Sequence, residues 1–118
     1  MPGSSSSSVK VFFLDRTRVL AQLEKALEAL LAHRPEVLEV WLFGSFARGR
    51  SAPGSDLDLA LVLSPGDLRP WPERMSSYLP YFRDVAMPVD LFCYTIPEWE
   101  GSRDLPFFQE IRRGQRQR

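Results

Sequence analysis

The run Asp56-Leu57-Asp58-Leu59-Ala60-Leu61-Val62 constrains this chain more than any other stretch. Side chains alternate along an extended strand, so Asp56 and Asp58 share one face, about 7 Å apart. Leu57 and Leu59 point to the opposite face and into a core. Two like charges on one face of an otherwise apolar strand repel each other and are costly to bury. Such a pair is either a solvated strand end or a seat for something positive.

A third carboxylate, Asp90 in Val89-Asp90-Leu91-Phe92, again holds one alternate position of an apolar strand. Carboxylates that cannot relieve one another suit Mg²⁺, which takes hard oxygen ligands and keeps places for water and phosphate. Three aspartates on neighbouring strands suffice for two ions roughly 3.5–4 Å apart. The apolar neighbours of Asp90 predict a central strand. The alternative is structural: Asp90 pairs with Arg83 or Arg48 and merely fixes its strand.

The rest of the chain supplies the frame. Val19, Leu20, Leu23, Ala26, Leu27, Leu30 and Leu31 recur three or four apart, predicting a helix capped by Asp15 and ended before Pro35. His33 falls in its last turn and reads as a solvated helix end. Leu38 to Phe43 is a strand breaking at Gly44; Asp56 to Leu63 is a second, closed by Ser64-Pro65-Gly66. Prolines cut Leu68 to Asp84, within which Arg74 to Arg83 holds a short helix. Val85 to Tyr94 is a third strand and Phe107 to Arg113 a terminal helix. This order gives an α+β fold, a short mixed sheet with helices packed on one side. The serine-rich residues 1–8 read as a flexible polar tail, and 9–118 as one domain.

With 15 basic and 15 acidic residues the net charge is zero, so no whole-molecule field draws in nucleic acid or membrane. Any attraction for phosphate has to be local. The single cysteine, Cys93, excludes an internal disulfide and reads as a buried strand residue, which fits a reducing, cytoplasmic setting. No run of 18 apolar residues exists to span a membrane.

Local phosphate binding has a candidate in Trp41-Leu42-Phe43-Gly44-Ser45-Phe46-Ala47-Arg48-Gly49. An apolar strand runs into Gly44, which lets a phosphate approach the backbone because no Cβ stands in the way. Ser45 is placed to cap a short helix and offer its hydroxyl and amide. Arg48, one turn on, reaches the same anion. The plainer reading is a strand-to-helix turn built from good turn formers. Gly44 to Ser51 also spells Gly-x-x-x-x-Gly-Arg-Ser, one change from the phosphate loop of ATPases. That loop needs its lysine and a long helix straight after the serine; here Ala52-Pro53-Gly54 stops any helix.

Gly44-Ser45, then Asp56-Leu57-Asp58, with an apolar strand before each, resembles the signature of the DNA polymerase β-like nucleotidyltransferases. Within them, Gly44-Ser45-Phe46-Ala47-Arg48-Gly49 with Ser55-Asp56-Leu57-Asp58-Leu59 is similar to the minimal nucleotidyltransferases of prokaryotes. The closing Pro106-Phe107-Phe108 to Ile111-Arg112-Arg113-Gly114 looks like that subfamily too. The resemblance implies that Asp56, Asp58 and Asp90 hold two Mg²⁺ ions, with Mn²⁺ as a substitute, and that Asp90 is the base for the acceptor hydroxyl. It implies that Gly44 and Ser45 hold the triphosphate of ATP or another nucleoside triphosphate, with Arg48 and Ser55 beside them.

The activity so implied is Mg²⁺-dependent transfer of a nucleoside monophosphate, AMP from ATP, onto a hydroxyl. By the same resemblance, the acceptor is a small helical protein of the HEPN ribonuclease type, for which the domain acts as antitoxin. Two alternatives stand beside it: a non-catalytic module that neutralises its partner by contact, and half of a split transferase for a small hydroxylated molecule. Val85, Met87, Val89, Phe92, Tyr94, Trp99, Phe107 and Phe108 predict an exposed apolar patch for such a partner or for a second copy.

Overall fold

The computed structural model describes the backbone of residues 4–50 and 55–118, with side chains from residue 16 onward. The first helix, α1 (Ser4–His33), starts well before the cap expected at Asp15, since neither glycine nor proline interrupts the sequence from Ser4 to Arg34. It takes in Ser4 to Ser8, part of the stretch read as tail, while residues 1–3 lie outside the described residues. It ends where Pro35 requires. His33 caps it as a solvated end, its Nδ1 donating to the Ala29 carbonyl at 2.8 Å.

Three seven-residue strands follow: β1 (Val37–Phe43), β2 (Leu57–Leu63) and β3 (Val89–Thr95). A short α2 (Gly44–Ala47) leaves β1 directly. Between β2 and β3 lie α3 (Trp71–Tyr78) and a 3₁₀ turn, Leu79–Phe82. After β3 come α4 (Ile96–Gly101), α5 (Pro106–Arg112) and a two-residue β4 (Gln115–Arg116). The sheet order is β3-β2-β1-β4; β1 pairs antiparallel with β2 and β4, and β2 parallel with β3.

The strand of Asp90 is therefore an edge, not central as its apolar sequence predicted. Its hydrophobicity has another cause. Helix α3 lies along the outer margin of β3, where buried Arg74 donates to the Cys93 carbonyl at 3.4 Å and to the Asp67 carbonyl at 2.7 Å. The strand also starts at Val89 and not Val85, because Pro88 has no N–H for a ladder; its carbonyl instead accepts from Leu57 N at 2.8 Å.

Leucines of β2 and the α1 stripe make the larger core: Val19, Leu23, Leu27 and Leu30 pack on Leu57, Leu59, Leu61 and Leu63. The opposite face of the sheet carries a second core of Phe43, Ala60, Val62, Trp99, Phe108 and Ile111. Helices consequently cover both faces, which corrects the one-sided arrangement expected above: α4 and α5 fold back over the second face. The same folding corrects the expected apolar patch. Trp99, Phe108 and Val85 are buried, Phe92, Tyr94, Met87 and Val89 are partly covered, and Phe107 alone of the set is exposed. No helix among the described residues is long and apolar enough to cross a membrane.

Candidate functional site

Topology brings three strand ends to one place. The antiparallel turn from β1 to β2 sets the end of β1 beside the start of β2, and the parallel β3 brings its own start to the same margin. Phe43 is paired with Asp58, and Asp58 with Asp90, in direct register. Asp58 and Asp90 thus stand on adjacent strands and the same face, about 4.8 Å apart between strand axes. Asp56 lies two residues before Asp58 and is exposed; Asp58 is half-buried and Asp90 exposed.

Like charges crowd this margin. Burial, then the charges of Asp90, Asp56 and Glu110, push the Asp58 carboxyl up to about 6. The Asp90 carboxyl is raised as well, by partial desolvation first, then by the charge of Asp56 and a hydrogen bond with it. Among the described residues no cation is paired with any of the three aspartates. The alternative in which Asp90 pairs with Arg83 or Arg48 is not what the fold contains: Arg48 pairs with Glu110 of α5 at 3.2 Å.

Gly44 backs directly onto this cluster. Its φ of +80° lies in the left-handed region, and a Cβ there would overlap the Asp58 Oδ2 and sit 3.1 Å from its Cγ. The glycine is required by a carboxylate packed against its Cα as well as by the turn. Ser45 follows as the second residue of α2. It does not cap the helix as expected: Phe43 holds the cap position, with no side-chain cap bond, since the chain enters α2 straight from the strand. The Ser45 carbonyl accepts from Arg50 N at 2.9 Å. The short helix is pinned from outside, where Arg16 of α1 donates to the Phe46 carbonyl at 2.7 Å and lies 4.3 Å over its ring. Ser55 stands half-buried just ahead of Asp56, and residues 51–54 of the intervening loop lie outside the described residues.

A family model described as a nucleotidyltransferase domain matches residues 23–112, more than half of the chain. The chain belongs to this family of nucleotidyltransferase domains. Its fold is similar to the crystal structure of a Sulfolobus solfataricus protein provisionally assigned as a nucleotidyltransferase, with a TM-score of 0.60 and 26% identity over 78% of this chain and 77% of that one. No curated protein matches the chain. The matched range of the nucleotidyltransferase domain takes in Gly44, Ser45, the three aspartates and all of α5, while β4 falls beyond it.

The donor set at this margin is chemically suited to a hard divalent cation, being carboxylates in direct register without a cationic partner among the described residues. As the side chains stand, no three acidic, histidine or cysteine groups among the described residues converge tightly enough to enclose an ion. Mg²⁺ does not require that, because it commonly takes one or two carboxylates and completes its shell with water and phosphate.

Two kinds of neighbour were not legible in the sequence. Glu110 reaches the site across 62 residues, and nothing in its spacing marks it. An aromatic group also borders the carboxylates on their own face: Phe43, Phe92, Phe107 and Trp71, with ring centroids 5.2–6.0 Å apart along the chain of contacts. Alternation along β3 does put Phe92 on the face of Asp90, which was the only available signal.

Proposed function

We propose that this domain transfers a nucleoside monophosphate, AMP from ATP, onto a hydroxyl acceptor at the carboxylate margin of its sheet. The observation that carries the reading is the direct register of Asp58 with Asp90, with Gly44 packed against Asp58. Asp56, Asp58 and Asp90 are the residues suited to hold two Mg²⁺ ions, or Mn²⁺, which supply charge neutralisation at the triphosphate and a lowered pKa for the attacking hydroxyl. Gly44 and Ser45 offer backbone amides and a hydroxyl to the phosphates, and Ser55 stands at the entry to the aspartate strand. Arg48 has half of its side chain exposed, so exchanging Glu110 for a phosphate costs it little. Asp90, at the sheet edge and open to solvent, is placed to accept the proton of the incoming hydroxyl.

The acceptor is a hydroxyl on a small helical HEPN-type partner, and AMP attachment there makes the domain an antitoxin. This part of the reading rests on the likeness of Gly44 to Gly49 and Ser55 to Leu59 to the minimal nucleotidyltransferases. The test incubates the domain with α-labelled ATP, Mg²⁺ and a small helical HEPN-type protein. Label is expected on the partner, and Asp58→Asn and Asp90→Asn should each lower the rate by about 10²–10⁴. Partner neutralisation that persists undiminished in both variants, without label, overturns transfer and leaves a contact-only module.

A further inference from the structure

Two large aromatic side chains stay exposed beside the site although the rest of their cluster is covered. Trp71 is 40% exposed and Phe107 39%, on rings that flank the partly buried Phe92 at 6.0 and 5.2 Å. Phe107 also meets Phe43 edge-on at 5.7 Å. Phe43 is the register partner of Asp58, and Phe92 stands two residues beyond Asp90 on the same face, about 7 Å along the strand. The rings therefore continue the surface that carries the carboxylates.

Their order across the sheet gives direction. Gly44 follows β1, Asp58 is on β2, Asp90 on β3, and Trp71 opens α3 along the outer margin of β3. A triphosphate with its tail at Gly44 and its α-phosphate between Asp58 and Asp90 sends its nucleoside outward past β3. What waits there is the exposed ring of Trp71, with the partly buried Phe92 beside it and Phe107 next to Phe92 over the aspartate face, where it also meets Phe43. We propose that Trp71 and Phe107 form the stacking wall for the nucleobase of the bound triphosphate. The proposal rests on the nucleotide reading above and adds the base-recognising residues to it.

Stacking is tolerant of base identity but follows ring area, so a purine is held more tightly than a pyrimidine. The wall is made of two ring faces, with the Trp71 indole N–H its one polar group, which makes the preference chiefly one of ring size. Trp71 also carries the measurement, since a base laid on its indole quenches its emission; Trp99 is 1% exposed and out of reach, and the signal of the partly buried Trp41 is the one that remains in Trp71→Phe.

The experiment measures Mg²⁺-dependent binding of ATP, CTP and inorganic tripolyphosphate to the full chain and to Trp71→Ala, Trp71→Phe and Phe107→Ala. ATP is expected to quench the wild-type emission and tripolyphosphate not to. Trp71→Ala should weaken ATP about tenfold and CTP less, leave tripolyphosphate unchanged, and be restored by Trp71→Phe. Unchanged ATP affinity in Trp71→Ala and Phe107→Ala overturns the wall, as does an equal loss for tripolyphosphate. Tripolyphosphate and ATP binding equally well to the wild type removes the wall alone; neither binding removes the nucleotide site as well.

Discussion

At Gly44 one missing atom serves two purposes. The positive φ alone costs any other residue about 1 kcal/mol, and the Asp58 carboxylate fills the space where a Cβ would go. Gly44→Val should therefore displace Asp58 and abolish Mg²⁺-dependent ATP binding, with the circular dichroism spectrum of the fold retained; calorimetry reading wild-type affinity would remove the loop from the site. Asp58 itself is held at a cost. Its carboxyl rises from 3.8 to about 6, so the folded state prefers it protonated. The penalty is absent below about pH 3.8, grows as the pH rises toward 6, and is constant above that. Discounted for its partial exposure, it amounts to about 1–2 kcal/mol at pH 7. Asp58→Asn should accordingly raise the Tm of the metal-free protein by roughly 4–8 °C at pH 7 and by nothing near pH 3.5, while losing transfer. A Tm gain that is the same at both pH values would show that the charge is not its origin.

Among the elements, α5 connects the second core to the site. Its inward side buries Phe108 and Ile111, and its Glu110 meets Arg48 just past α2. That pair is exposed at both ends, 54% and 41%, and is worth less than about 1 kcal/mol to the fold. Its influence falls on the ligand instead. Glu110→Gln removes a negative charge that acts on Asp58 and frees Arg48, so Mg²⁺-ATP should bind a few-fold tighter by calorimetry, with the Tm within about 2 °C of wild type. Arg48→Ala should weaken ATP by about tenfold at the same Tm, and Glu110→Gln added to it should then give a smaller gain. Element α3 is fixed in a different way. Buried Arg74 ties the Asp67 loop, the Cys93 carbonyl and Glu98 of the α4 capping box into one unit, and Trp71 is presented from the start of the same helix.

For the whole molecule, the decisive arrangement is a sheet covered on both faces but left open at one margin. The larger core under α1 sets stability, while the smaller one under α4 and α5 carries the aspartate face. Trp99 is the anchor of the second core, packed at tilted angles between Trp41 and Phe108 and covered by Arg112 at 4.2 Å. Trp99→Ala should cost about 3–5 kcal/mol in urea unfolding and, by loosening α5, should reduce ATP binding at temperatures where the fold persists. Wild-type ATP affinity in that variant would separate the second core from the site.

The amino-acid sequence by itself determined where the three long strands run, to within a few residues, and which carboxylates share a face. Alternation put Asp56 and Asp58 on one face, a seven-residue leucine-rich strand could only be core, and Gly44 after an apolar run could only be a turn. These are local rules, readable from neighbours a few residues apart. What tertiary structure decided is whatever depends on residues far apart in the chain. Register set Asp90 level with Asp58, 32 positions earlier in the chain, and made its strand an edge, because an apolar strand covered by α3 looks in sequence like one covered by another strand. The return of α4 and α5 turned an expected patch into a second core, brought Glu110 to Arg48, and left Trp71 and Phe107 exposed beside the carboxylates. No short-range pattern encodes those contacts, since each depends on how two separately stable surfaces come to cover one sheet.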